Sequence, residues 1–279
     1  MFYNFLQFEF LQNAFLSGAL IGIAAPLLGV FVVVRRLSLI ADALSHVTLA
    51  GIAAGLLLSS KIQALATISP IYLGMGFSVL GSLLIEKLRT VYKHYEELAI
   101  PILLSAGIGL SVVFISLADG LNTDLFSYLF GSVSAVSRID LYVIFFVSVF
   151  ALLVIVLFLK EMFLLSFDEE YATASGLPAK ALHLLFILTV ALVISVAMRV
   201  VGILLVSSLM TLPVAASIRI AKGFKQTMFA SVLIGEFSVL FGLFLSYYLD
   251  IAPGGTIVIL NIIILLLAIF WSKTRGRTI

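Results

Sequence analysis

Nine apolar runs dominate this 279-residue sequence, at roughly 11–34, 39–58, 68–85, 99–117, 140–159, 181–198, 201–220, 227–249 and 255–271. Each is long enough to cross about 30 Å of hydrocarbon as a helix. Inside lipid every backbone N–H and C=O needs a partner, which a helix supplies within its own segment, so these runs are candidate helices. The expected fold is all-α: a polytopic transmembrane helical bundle of about nine spans, or eight if the two runs that nearly touch at Met198–Gly202 are one. Composition agrees, because 63% of the residues are hydrophobic and 11% charged, and mean hydropathy is +1.27. A soluble domain carries about 45–50% apolar and 25% charged residues. This chain cannot cover its surface with polar groups, so its solvent is lipid.

The placement of charge orients the bundle. Cytoplasmic loops of membrane proteins carry an excess of Lys and Arg. If the loop with Arg35 and Arg36 lies inside, the alternate loops place Lys87, Arg89, Lys93, Lys160, Lys180, Arg219, Lys222, Lys225, Lys273, Arg275 and Arg277 inside too. Only Lys61, Arg138 and Arg199 fall outside, three of the 16 basic residues. The expected topology has the N-terminus outside and the C-terminus inside. Residues 1–279 read as a single transmembrane domain without a cleavable signal, since Met1–Gln12 holds no Lys or Arg and the first run is too long for a signal core. The net charge of +2 gives no reason to expect a nucleic-acid partner, and with no cysteine there is neither a disulfide nor a thiolate metal site.

Within the second run, Leu39-Ile-Ala-Asp-Ala-Leu-Ser-His-Val-Thr-Leu-Ala-Gly51, Asp42 and His46 stand four residues apart and project from one helix face. His46 falls two or three residues from the midpoint of the 39–58 run, about 4 Å along the axis. A charged Asp in mid-membrane costs about 2.5–3.5 kcal/mol, so such residues face a cavity and serve a function. Carboxylate oxygen with imidazole nitrogen suits zinc, manganese or ferrous iron, and a two-fold dimer would supply four such donors. A proton relay and a packing pair use the same two residues, and the sequence leaves all three readings open. Gly51 and Gly55 form a small-xxx-small step away from the polar face, suited to close packing on a neighbouring helix.

Phe167-Asp-Glu-Glu-Tyr-Ala-Thr-Ala-Ser-Gly-Leu-Pro178 reads as a short helix over 168–176. Asp168 is the N-cap, Glu169 and Glu170 complement the dipole, Gly176 suits C′ and Pro178 bars continuation. An isolated helix this short is marginal in water, which argues that something holds it. The segment 118–131 is amphipathic and too polar to span, an external half-helix or an interfacial one. Glu236 stands alone near the middle of the eighth run, a packing or pathway residue. His94 and His183 read as bystanders beside cytoplasmic loops. No Walker A pattern, H-E-x-x-H or G-x-S-x-G is present, so ATP hydrolysis by this chain is not expected.

Five stretches in order carry a family resemblance: Arg35-Arg-Leu-Ser-Leu-Ile-Ala-Asp-Ala-Leu-Ser-His46, Ser127-Tyr-Leu-Phe-Gly131, the Asp168–Pro178 loop, Val201–Ala216 and Ser246–Ile257. Almost end to end, the chain resembles the membrane-spanning permease of bacterial zinc, manganese and iron uptake ABC transporters. The resemblance implies a metal-contacting role for Asp42 and His46. It implies that the 168–176 helix, with Asp168, Glu169, Glu170, Ala172 and Gly176, couples to an ATPase. It also implies the partners: a second copy of the chain, two cytoplasmic ATP-binding subunits and an extracellular metal-binding lipoprotein or periplasmic protein. The implied location is the bacterial inner membrane. The chain itself would be a transport subunit with no bound cofactor, its cargo a divalent metal. His46-Val-Thr-Leu-Ala-Gly51 is similar to the zinc branch, whereas the manganese branch more often has Ala-Val-Leu-Pro-Gly after its histidine, so the expected cargo is zinc, with manganese or ferrous iron as alternatives. The rival functions are a proton-coupled secondary transporter working through Asp42 and His46, and a scaffolding membrane protein with no path.

Overall fold

A computed structural model describes residues 8–62, 69–118 and 123–274, the side chains of 123 and 124 excepted. Arg275, Arg277 and residues 119–122 of the half-helix segment lie outside the described residues. The described elements are helical throughout: α1 (Glu9–Val34), α2 (Leu39–Lys61), α3 (Pro70–Val91), a 3₁₀ turn (Glu96–Leu98) running into α4 (Ala99–Leu117), α5 (Thr123–Phe130), α6 (Arg138–Leu157), α7 (Leu159–Phe167), α8 (Glu169–Ala174), α9 (Ala179–Val201), α10 (Ile203–Ile220), α11 (Phe224–Leu249) and α12 (Pro253–Thr274). Among the described residues nine of these are long and apolar enough to span: α1–α4, α6 and α9–α12.

The near-contact at Met198–Gly202 is a genuine boundary. Helix α9 ends at Val201 and α10 starts at Ile203, with Gly202 alone between them at φ +86°. Only glycine takes that conformation freely. A Cβ there would also stand 2.5 Å from the Gly131 nitrogen, so the short helix α5 is seated on this break. Two antiparallel spans thus turn on a single residue, and the nine-span count holds.

Helix α9 is the hub. Its Phe186, Ile187, Val190, Ile194 and Met198 are at most 1% exposed, and it meets α1, α2, α3, α6 and α10. Helix α2 lies against α3 and α4 along most of its length and also touches α9 and α10. Glycines permit the closest approaches. A Cβ on Gly51 would meet the Leu73 carbonyl of α3 at 2.8 Å, and one on Gly107 of α4 would lie 2.8 Å from the Val47 nitrogen. The Gly51–Gly55 face therefore packs as its spacing suggests.

The ends of the bundle differ in charge. One end carries Arg35, Arg36, Lys87, Arg89, Lys93, Lys160, Lys180, Arg219, Lys222, Lys225 and Lys273. At the opposite end Arg199 pairs with Asp140 at 3.3 Å and donates to the Ala135 carbonyl at 2.8 Å and to Ser69 Oγ at 3.1 Å. Arg138 forms an ion pair with Glu9. Two of the three cations at this end are thus neutralised by the chain's own carboxylates.

Candidate functional site

Between Ile40 and Gly55, α2 buries every residue except Asp42 and His46. The other fourteen positions of this stretch are covered, chiefly by α3, α4, α9 and α10, so within 40–55 the two positions left part-exposed are the two ionisable ones. The helix runs to Lys61, beyond the 39–58 run read from the sequence, because Ser59, Ser60 and Lys61 extend it past the apolar stretch. Its midpoint is residue 50. His46 therefore sits about 6 Å, and Asp42 about 12 Å, from the middle toward the basic end, deeper toward that end than the sequence run suggested.

The two side chains do not close on each other. No hydrogen bond or ion pair joins them, and His46 Nδ1 is buried with no hydrogen-bond partner. The Asp42 carboxylate is still near enough for its charge to act on the ring. Among the described residues no group of three or more His, Cys, Asp and Glu could hold a metal ion. Asp42 and His46 are thus two isolated side chains on one part-exposed strip, with no third such group beside them among the described residues.

The second candidate element is α8. Asp168 caps it as its sequence indicates, with the carboxylate accepting from the Tyr171 amide at 2.8 Å. At the other end Gly176 (φ +86°) donates to Thr173 and Leu177 donates to Ala172, both at 3.1 Å, which is the paired closure of a Schellman motif. Ala172 is fully buried in a small cluster with Leu165, Ala179 and Leu182, while Glu169, Glu170, Tyr171 and Thr173 are exposed. The chain itself therefore holds this helix, so its persistence does not require a partner. The fixed, capped outer face is what a partner would read.

Sequence reasoning missed His183. It is no bystander: it lies 2% exposed on α9, where the Arg89 guanidinium of α3 donates to its Nε2. Arg89 also binds Glu96 at 2.7 Å, and Glu86 stands 3.5 Å from His183 Nε2. Arg35, over the Phe186 ring at 5.6 Å, borders this cluster. Burial pulls its guanidinium down to about 10 and the Glu169 carboxylate of α8 opposes that shift, so Arg35 remains a cation at neutral pH. Charge thus links α8 to the turn Arg35–Ser38 from which α2 starts. His94 is exposed, as its loop position implies. Glu236 stands at the middle of α11 with Oε2 buried and unpartnered, against Gly22 of α1.

The profile of the ABC 3 transport family matches residues 7–272. A protein of Treponema pallidum named "Probable metal transport system membrane protein" is 35% identical over 274 residues, covering 98% of this chain and 100% of its own. The manganese import system permease protein ScaB of Streptococcus gordonii is 32% identical, over 97% of this chain and 95% of its own. Among solved structures, PsaBC from Streptococcus pneumoniae in complex with Fab superposes with a TM-score of 0.80 at 30% identity, covering 96% of this chain and 95% of that one.

Proposed function

Since the chain belongs to the ABC 3 transport family and is a multi-pass membrane permease subunit of a metal ABC importer rather than an enzyme, we propose that the Asp42–His46 strip lines the ion path. Two copies of the chain face each other across it. The observation that carries this reading is the burial pattern of α2 between Ile40 and Gly55, where only Asp42 and His46, an oxygen and a nitrogen donor, are left part-exposed. Two strips related by a two-fold axis supply four N and O ligands, a set suited to a divalent first-row ion. The basic end faces the cytoplasm, where α8 with Asp168, Glu169, Glu170, Ala172 and Gly176 docks on the ATP-binding subunit. An extracellular metal-binding protein delivers the ion at the opposite end.

The cargo is a divalent transition metal. Relatives such as ScaB of Streptococcus gordonii are named as manganese importers, which supports Mn²⁺. The run after His46 supports Zn²⁺. The donor set accepts both, because ligand chemistry alone separates these ions poorly. Reconstitution with the ATPase subunits in vesicles, with uptake of Zn²⁺ and Mn²⁺ measured in competition, decides between them. ATP-driven uptake of neither ion would overturn the path assignment. Uptake that persists without the ATPase would return the proton-coupled alternative.

A further inference from the structure

A groove of about 690 Å³ opens at the basic end between α7 and the start of α11. Its floor is apolar, built by Phe163, Phe224 and Met228, and its rim carries Lys160, Lys222 and Lys225. All three lysines are exposed, and none forms an ion pair with a described carboxylate. Lys160 follows the end of span α6 at Leu157, and Lys222 lies two residues before, and Lys225 one residue after, Phe224, the first residue of span α11. The groove therefore straddles the boundary where hydrocarbon gives way to headgroups, with its floor on the apolar side and its cations on the polar side. A second hollow of about 520 Å³ adjoins it through Lys225 and Gln226 and is lined by Trp271, a residue type that prefers the membrane interface.

We propose that this groove binds an anionic phospholipid, its phosphate among Lys160, Lys222 and Lys225 and its acyl chains along Phe163, Phe224 and Met228. Three cations without acidic partners call for a negative ligand, and the floor beneath them calls for hydrocarbon. A phospholipid with net negative charge presents both at the required depth, and basic pockets between spans bind such headgroups. The lysine stems lie along the apolar wall while the ammonium groups reach the headgroup layer. The inference rests on the chain being a membrane protein and is independent of the metal it carries.

Trp271 is the sole tryptophan of the chain, so its fluorescence reports the neighbouring groove. With the full chain in phosphatidylcholine vesicles, brominated phosphatidylglycerol should quench Trp271 at lower mole fraction than brominated phosphatidylcholine. Lys160→Gln, Lys222→Gln and Lys225→Gln should each weaken that preference about fivefold, and the triple variant should abolish it. Lys180→Gln, at the same end but off the groove, should leave it intact. Equal quenching by the two lipids in the wild type, or a preference that survives the triple variant, would overturn the proposal. So would competition by millimolar inorganic phosphate, which would remove the need for acyl chains. Native mass spectrometry of the chain with its ATPase subunit should still find phosphatidylglycerol bound; its loss on assembly would assign the groove to the ATPase instead.

Discussion

Arg89 of α3 and Glu96 of the 3₁₀ turn before α4 meet at 2.7 Å, and the same guanidinium reaches across to His183 of α9. One side chain thus ties three elements together beside the turn that launches α2. Arg89→Ala should leave Glu86 and the buried His183 unmatched and lower thermal stability by about 1–3 kcal/mol. Glu96→Gln should cost less, because Glu96 is half-exposed and exposed pairs contribute about 0–1 kcal/mol. A double-mutant cycle on Arg89 and Glu96, read by thermal unfolding in detergent, checks the pair. Additive losses would mean that the two residues act independently.

Gly176 has open space around its missing Cβ but a φ of +86°. The cost of Gly176→Val is therefore conformational, about 1–3 kcal/mol, while Gly176→Asn should be tolerated, since Asn enters the left-handed region. Valine should loosen α8 and reduce both ATPase co-purification and stimulated hydrolysis, with membrane insertion unchanged. Deletion of 168–176 should abolish both. Full ATPase association after the deletion would remove α8 as the dock.

Gly107 lets α4 approach the backbone at His46. A Cβ there would lie 2.8 Å from the Val47 nitrogen and 3.0 Å from the His46 carbonyl carbon, and backbone atoms cannot swing aside. Gly107→Ala should push α4 off α2 at a cost of about 1–3 kcal/mol and lower metal uptake without removing a donor. Wild-type uptake in this variant would show that the strip tolerates displacement of its neighbour.

The charge asymmetry predicts which end faces the cytoplasm. The chain has no native cysteine, so Ser60→Cys, exposed at the Lys61 end of α2, should react with a membrane-impermeant thiol reagent in cells whose outer barrier is opened. His94→Cys, at the basic end, should not. Position 4 should label and position 275 should not, although both lie outside the described residues. The reverse pattern would invert the bundle and place α8 on the wrong side for an ATPase.

Local signals in the sequence carried much of this architecture. Span positions follow from apolar length and the caps of α8 from Asp168 and Gly176, whereas the α9–α10 break falls at Gly202, past the gap between the two apolar runs at Met198–Val201. What was not legible depends on distant partners. His183 looked idle because Glu86 and Arg89, which surround it, belong to a helix some ninety residues earlier. The opposite end kept Arg199 because Asp140, Ser69 and Ala135 converge on it, which charge counting cannot see. Asp42 and His46 share a helix face by spacing alone. That they alone stay part-exposed between Ile40 and Gly55 required the packing of α3, α4, α9 and α10. The anchoring of α8 by Ala172 likewise came from tertiary contact with Leu165, Ala179 and Leu182.

Asp42 and His46 should contact the transported ion. Anomalous scattering from crystals of the dimeric complex soaked in Zn²⁺ or Mn²⁺ tests this contact most directly. A peak is expected between the two α2 strips in the wild type. Asp42→Asn, which keeps volume but removes charge, and His46→Ala, which removes the nitrogen donor, should each weaken binding by at least tenfold to about a hundredfold and abolish the peak, with protein level and ATPase association unchanged. A peak that persists in both variants, together with metal uptake at the wild-type rate, would contradict the assignment and leave the pair a feature of packing.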